Sequence, residues 1–200
     1  MSNVLNIIRD EHRSIAAVLH GMRHLVQESR HRFETGAGKD WLAGRLPTLR
    51  AMLHYLDSFS ERQHHPKEDR FLFHAVRAAT HEVDGELDEL ESEHAAGEAA
   101  LIHLEHLLVC WQEGGPGEFP AFADAASRYV GRYLAHMRRE EEGVFPAAAR
   151  VLSPADWAAI DRAYSSNRDP LKLHGDVQDY ELLFAHIVSL APAPLGLGPA

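Results

Sequence analysis

One cysteine, Cys110, stands in 200 residues. An intrachain disulfide is therefore excluded, and the fold must rest on burial and hydrogen bonding. No run of about 18 apolar residues occurs, so no membrane-spanning helix is expected. The opening residues, MSNVLNIIRDEHR, have no basic n-region and no long apolar stretch, because Arg9, Asp10 and Glu11 interrupt it. A secretory signal is not expected, and together with the lone cysteine this points to the cytoplasm. Positive charge is also short. Lys and Arg number 20 against 30 Asp and Glu, for a net charge of -10. That balance argues against nucleic acid and against an acidic membrane surface as partners. Alternating, strand-like runs are scarce.

What remains is long amphipathic helices and an excess of histidine, 15 residues in all. The length suits one domain with an appendage. Four segments, roughly 2–33, 40–80, 82–112 and 119–150, carry apolar residues at helical spacing. Leu5, Ile8, Ile15, Leu19 and Met22 form the stripe of the first, with His12 inside it. Thr35-Gly36-Ala37-Gly38 breaks the chain before the second, and Gly114-Gly115-Pro116-Gly117 before the fourth. Pro47 is expected to start or kink the second segment, Pro66 to bend it, and Pro146 to bend or end the fourth. Short breaks between long helices favour antiparallel neighbours. The fold expected is thus all-α, an up-down-up-down four-helix bundle over residues 1–150.

A helical extension is expected over 151–190. Ser153 followed by Pro154 is a good helix start, with Trp157, Ile160 and Tyr164 on one side. Asp169-Pro170 breaks the chain, and a last helix is expected over 176–190. The tail 191–200, APAPLGLGPA, has the composition of a disordered end. Capping of the bundle by the extension is preferred to a dimer interface. Monomer and homodimer both remain open.

Chemistry enters through histidine and glutamate four residues apart, which share a helix face. Four such pairs occur: His24/Glu28, His64/Glu68, His94/Glu98 and His136/Glu140. Chance placement alone would give about 1.4 such pairs, so one pair by itself says little. Helical phase separates them. His24 lies roughly 120° from His12, off the apolar stripe, and reads as a solvated pair with Glu28. His64 is in phase with Phe71, His94 with Leu87 and Leu101, and His136 with Tyr129. A single inward histidine is more often a satisfied core residue than a ligand. Four of them, two with inward carboxylates, would be costly to bury without a metal or a complete hydrogen-bond network.

The order His, HxxxE, His, HxxxE resembles that of the hemerythrin-like HHE cation-binding domains. The local words agree: DEHR around His12, HHPKEDRFLF around His64, SEHAAGE around His94 and HMRREEEGVFP around His136. The resemblance covers about residues 3 to 150. It implies a left-handed four-helix bundle around a non-haem di-iron centre, two iron ions with an oxo or hydroxo bridge. By position, it makes His12, His64, His94 and His136 the imidazole ligands and Glu68 and Glu140 the bridging carboxylates. The chain departs from the oxygen-carrying members, which have HxxxH in the third helix where this sequence has His94 and then Glu98. It is more similar to the di-iron proteins of iron–sulfur cluster repair. Those carry a small cysteine-containing N-terminal domain that this sequence lacks, so the repair role is the weaker expectation.

Imidazole and shared carboxylate suit hard ions such as iron or manganese, and about four protein ligands per ion leave positions open. Dioxygen, nitric oxide or peroxide would fit there. Three functions follow: a binder or sensor in oxidative or nitrosative stress or iron handling, an enzyme decomposing peroxide or reducing nitric oxide with an electron-donor partner, or an iron donor for cluster repair. Glu98 could ligate, hold a water or face solvent. Tyr129, Tyr133, Glu61 and Asp57 are expected around the ligands by phase. His65, about 100° from His64, is expected behind them or on the surface. Cys110 reads as a small buried hydrophobe. His174 and His186 lie outside the motif.

Overall fold

The computed structural model describes residues 4–36 and 39–164. Every regular element among them is helical, and five helices pack as a bundle. Helix α1 is Val4–Glu34. Helix α2 is a continuous rod over 39–79, α3 is Asp84–Gly114, α4 runs over 119–151, and α5 is Pro154–Tyr164. Helices α1 to α4 each pack on the next, and α4 closes on α1, which is the up-down-up-down arrangement. The expected helix over 176–190, the tail 191–200, His174 and His186 lie outside the described residues.

Neither α2 nor α4 is a uniform α-helix. In α2 the segments Leu56–His64 and Glu68–Phe73 are π-helical, and in α4 so is Glu140–Val144. The i→i−5 bonds are explicit: His65 N–H donates to the Ser60 carbonyl, His74 to Asp69 and Phe145 to Glu140. Pro66 lies between the two π turns of α2, and Pro146 comes two residues after the end of that of α4. A proline ring clashes with the carbonyl four residues back and offers no N–H. A widened turn absorbs both faults without ending the helix. Of the two expectations for Pro146, that it bends or that it ends the fourth helix, the second is corrected, since the helix passes through it as far as Val151. Pro47 likewise sits inside α2 rather than at its start.

Two apolar layers fill the bundle. The larger gathers Leu19, Met22, Phe59, Leu104, Phe122 and Val130, among others. The smaller, at the other end, joins Ile8, Phe73, Leu90 and Phe145 to Ile160 and Tyr164 of α5. Helix α5 starts as its sequence indicates, with Ser153 N–H donating to Asp156 and the Asp156 N–H donating to Ser153 Oγ. Its apolar side rests on α1 and on the second π segment of α2. Phe122 is fully buried beside Trp111, with ring centroids 5.6 Å apart. Phe122→Ala should therefore cost about 3–5 kcal/mol in urea unfolding, and a loss below 1 kcal/mol would show that this layer is loosely packed.

Candidate metal centre

Between the two apolar layers lies a polar one. His12, His64, Glu68, His94, His136 and Glu140 are all buried there, with exposures from 0% to 8%. Side chains this polar are rarely buried without partners.

The four imidazoles are held in one orientation. In each ring Nδ1 is turned outward to a carboxylate: His12 to Glu141 at 2.8 Å, His64 to Glu11 at 2.9 Å, His94 to Asp69 at 2.6 Å and His136 to Glu93 at 2.8 Å. The pairs form a closed cycle. Helix α1 supplies the carboxylate for the ring on α2, α2 for α3, α3 for α4, and α4 for α1. Such carboxylates fix the tautomer, place the proton on Nδ1 and leave the Nε2 lone pair facing inward. Sequence reading missed all four. The signal was there, since each adjoins an inward residue: Glu11 beside His12, Asp69 beside Glu68, Glu93 beside His94, Glu141 beside Glu140. One residue along a helix is about 100° round, which turns the neighbour to the seam with the next helix.

All four Nε2 atoms converge on Glu68 and Glu140. Glu68 Oε1 lies 3.7 Å from His12 and 3.4 Å from His64, and its Oε2 lies 3.8 Å from His94. Glu140 Oε2 lies 3.3 Å from His12, and its Oε1 lies 3.3 Å from His136 and 3.9 Å from His94. Each carboxylate thus has one oxygen toward the His12–His64 pair and the other toward the His94–His136 pair. Yet all four oxygens, and His12 Nε2, lack a hydrogen-bond partner. The Nε2 atoms of His94 and His136 are 2.9 Å apart. With both protons on Nδ1, two lone pairs face each other there, a repulsive contact unless a cation or a shared proton intervenes. Nitrogens about 2.1 Å from one ion at a right angle would stand about 3 Å apart. In the metal-free protein a shared proton would settle that pair of nitrogens, and protons on other Nε2 atoms would face the carboxylates. Cations satisfy both. Two groups of these residues, His12–His64–Glu68 and His65–Glu68–His94–His136, each bring their ligand atoms within 4.8 Å of one another.

The electrostatics of the cluster follow from its burial. Burial alone would push the His12 imidazole down, but Glu140, Glu141 and Glu68 outweigh it and hold the ring well above its usual value. The same contest raises His64, through Glu68 and Glu11, and pushes His136 up to about 9, through Glu140 and Glu93. Burial opposes ionisation of Glu140 as well, but His136 and His12 hold its carboxyl well below the usual range.

His65 takes the first of its two expected places, behind the ligands. It is buried, and its ring stacks on His94 with centroids 4.0 Å apart. Its Nδ1 faces Glu61 at 3.2 Å, and its Nε2 faces the Tyr133 hydroxyl at 2.7 Å. The π turns on either side of Pro66 wind more slowly than 100° per residue, so the ring comes inward rather than toward the surface. Burial, reinforced by His94, His64 and His136, pushes it well below its usual value, so it stays neutral. Tyr129 donates to Glu61 at 3.4 Å, and Tyr133 also meets Ser60 Oγ. Glu61, His65, Tyr129, Tyr133 and Gly97 line a cavity of about 70 Å³ beside His94 and His136. A Cβ at Gly97 would stand 2.5 Å from Glu61 Oε2, so a larger residue there would have to move that carboxyl group.

Other candidates fall away. Glu98 is exposed, which removes it from the centre. Asp57 pairs with Arg62 instead. His24 and Glu28 are 3.8 Å apart at the surface, as their phase indicated. Cys110 is only half-buried, with Sγ 3.5 Å from His106 Nε2, so it is no core hydrophobe. Among the described residues no helix is long and apolar enough to cross a membrane.

Comparison with known proteins bears on this geometry directly. No curated protein matches the chain, and no solved structure does. Residues 3–148 match the Hemerythrin HHE cation binding domain. With a buried cluster suited to cations, and with the motif and the matched span covering most of its length, the chain belongs to the hemerythrin HHE cation-binding domain family.

Proposed function

We propose that the buried cluster holds two iron ions, His12 and His64 serving one and His94 and His136 the other, with Glu68 and Glu140 shared between them. The observation that carries this reading is the set of four carboxylate oxygens, buried and without hydrogen-bond partners, each within 4 Å of one or two imidazole nitrogens. The donor set, imidazole and carboxylate without thiolate, suits iron over softer ions. When bound, such a pair supplies a change of oxidation state and an open position for a small oxidant or diatomic ligand: dioxygen, nitric oxide or peroxide.

The chain's own residues do the rest. Glu11, Asp69, Glu93 and Glu141 orient the four rings and raise their basicity. Phe145 stacks on His12, Phe59 on His64 and Phe73 on His94, which keeps water from the centre. Fitting roles are ligand binding or sensing in oxidative or nitrosative stress, or iron handling. One observation favours turnover as a second reading. Burial pushes the Glu61 carboxyl up to about 7, and it bonds to Tyr129 and His65 next to the centre, as a group that passes protons would.

The test is anaerobic reconstitution with ferrous iron, followed by iron analysis and an optical spectrum before and after peroxide. Two irons per chain are expected. A reversible spectral change without oxygen release supports the binder, and sustained oxygen release supports the enzyme. No iron taken up would overturn the proposal.

A further inference from the structure

A row of aromatic rings runs outward from the centre. The rings of His94 and His136 have centroids 4.6 Å apart. His65 stacks on His94 at 4.0 Å, and Tyr133 stacks on His65 at 5.3 Å. Tyr129 follows Tyr133 at 5.8 Å. The steps to the two tyrosines are those of ordinary aromatic contact. Tyr129 shares a cavity wall with Ala96 and Arg132, both exposed, so the last ring of the row lies just beneath the surface. Holding metal requires neither tyrosine.

A phenol that loses an electron becomes strongly acidic. It gives up that electron readily only where a base takes its proton. Tyr129 has such a base, since its hydroxyl donates to Glu61 Oε1 at 3.4 Å. Burial favours the neutral form of that carboxyl group, so a proton is welcome there. Tyr133 is placed differently. Its hydroxyl faces His65 Nε2 at 2.7 Å, and a proton on that nitrogen would put positive charge on a ring stacked against His94. The buried Tyr164 hydroxyl has no hydrogen-bond partner among the described residues, and so no base to receive its proton.

Resting on the di-iron reading, we propose that Tyr129 is the residue through which electrons from a one-electron reductant in solution enter the centre, with Glu61 holding the phenol proton meanwhile. The oxidant is peroxide. When the O–H bond of Tyr129 breaks, the proton goes to Glu61, and the electron passes by way of Tyr133 and His65 to the oxidised centre. A phenoxyl radical is left on Tyr129. A reductant such as ascorbate returns an electron to it, and Glu61 returns the proton. Ascorbate loses one electron and one proton in each pass, and two passes reduce one peroxide to two waters.

The test mixes the iron-loaded, full-length protein with one equivalent of peroxide, freezes it rapidly and reads it by EPR, with iron counted in each sample. The wild type should show a tyrosyl signal that ascorbate erases. Tyr129→Phe should lose that signal with two irons still bound. Glu61→Gln, which still accepts a hydrogen bond but takes no proton, should lower it about tenfold or more, and it carries the test should Tyr129→Phe fail to fold. Tyr164→Phe should leave the signal unchanged. No tyrosyl signal in the iron-loaded wild type, an undiminished signal in Tyr129→Phe or in Glu61→Gln, or a loss confined to Tyr164→Phe would overturn the inference while leaving the iron site standing. Failure of the wild type to load iron would overturn the di-iron reading as well.

Discussion

Glu140→Ala should reduce bound iron from two per chain to one or none, with affinity falling by about 100-fold or more. The magnitude follows from its place. Glu140 is fully buried, and its two oxygens face different imidazole pairs, so in the proposed two-ion centre one substitution would remove a ligand from both ions. The variant should still fold, because Glu140 makes no hydrogen bond that the helix needs. It should also lose most of the stabilisation that iron gives the wild type, about 4 kcal/mol per site when iron stands 1,000-fold above its dissociation constant. Thermal melts with and without iron would show this as a gap that closes in the variant. Glu98→Ala is the matched control, an exposed glutamate on α3 that also follows a histidine by four residues. Equal iron content in wild type and Glu140→Ala would contradict a shared carboxylate.

Iron uptake at pH 7 should release protons, that of His136 among them. The metal-free cluster holds His12, His64 and His136 above the usual imidazole value, and His136, at about 9, carries a proton at pH 7 that metal must displace. The sign runs two ways. In the metal-free protein, a raised imidazole contributes stability that is complete below about 6.5 and is lost as pH rises through the folded value, near 9 for His136. Glu140, held low, contributes stability above its usual value that is lost in acid. Iron affinity should instead rise with pH over the same neutral-to-alkaline window. Calorimetric titration in buffers of different ionisation enthalpy measures the protons directly, and a heat independent of buffer would contradict the prediction.

The fold was legible because four long apolar stripes with short Gly-rich breaks leave few other arrangements. The inward residues His12, His64, Glu68, His94, His136 and Glu140 were legible because phase and i+4 spacing agree across four helices. Two things were hidden. The first was which of its two expected places His65 takes, since a phase of 100° per residue fails in a π turn, and the sign of that turn was Pro66 inside a helix that does not end. The second was the cycle of Glu11, Asp69, Glu93 and Glu141. Each serves a ring on the next helix, and a contact between helices has no signature in the spacing along one of them. Glu98 was ambiguous for a related reason. At about 40° from His94 it lies near the seam, and only the packed bundle shows that the seam there belongs to Gly97 and Glu61.

The most direct test of a shared two-ion centre is anomalous diffraction at the iron edge from crystals of the reconstituted protein. Two peaks are expected, one within ligand distance of His12 and His64, the other of His94 and His136, with Glu68 and Glu140 between them. A single peak, or peaks elsewhere on the chain, would contradict it.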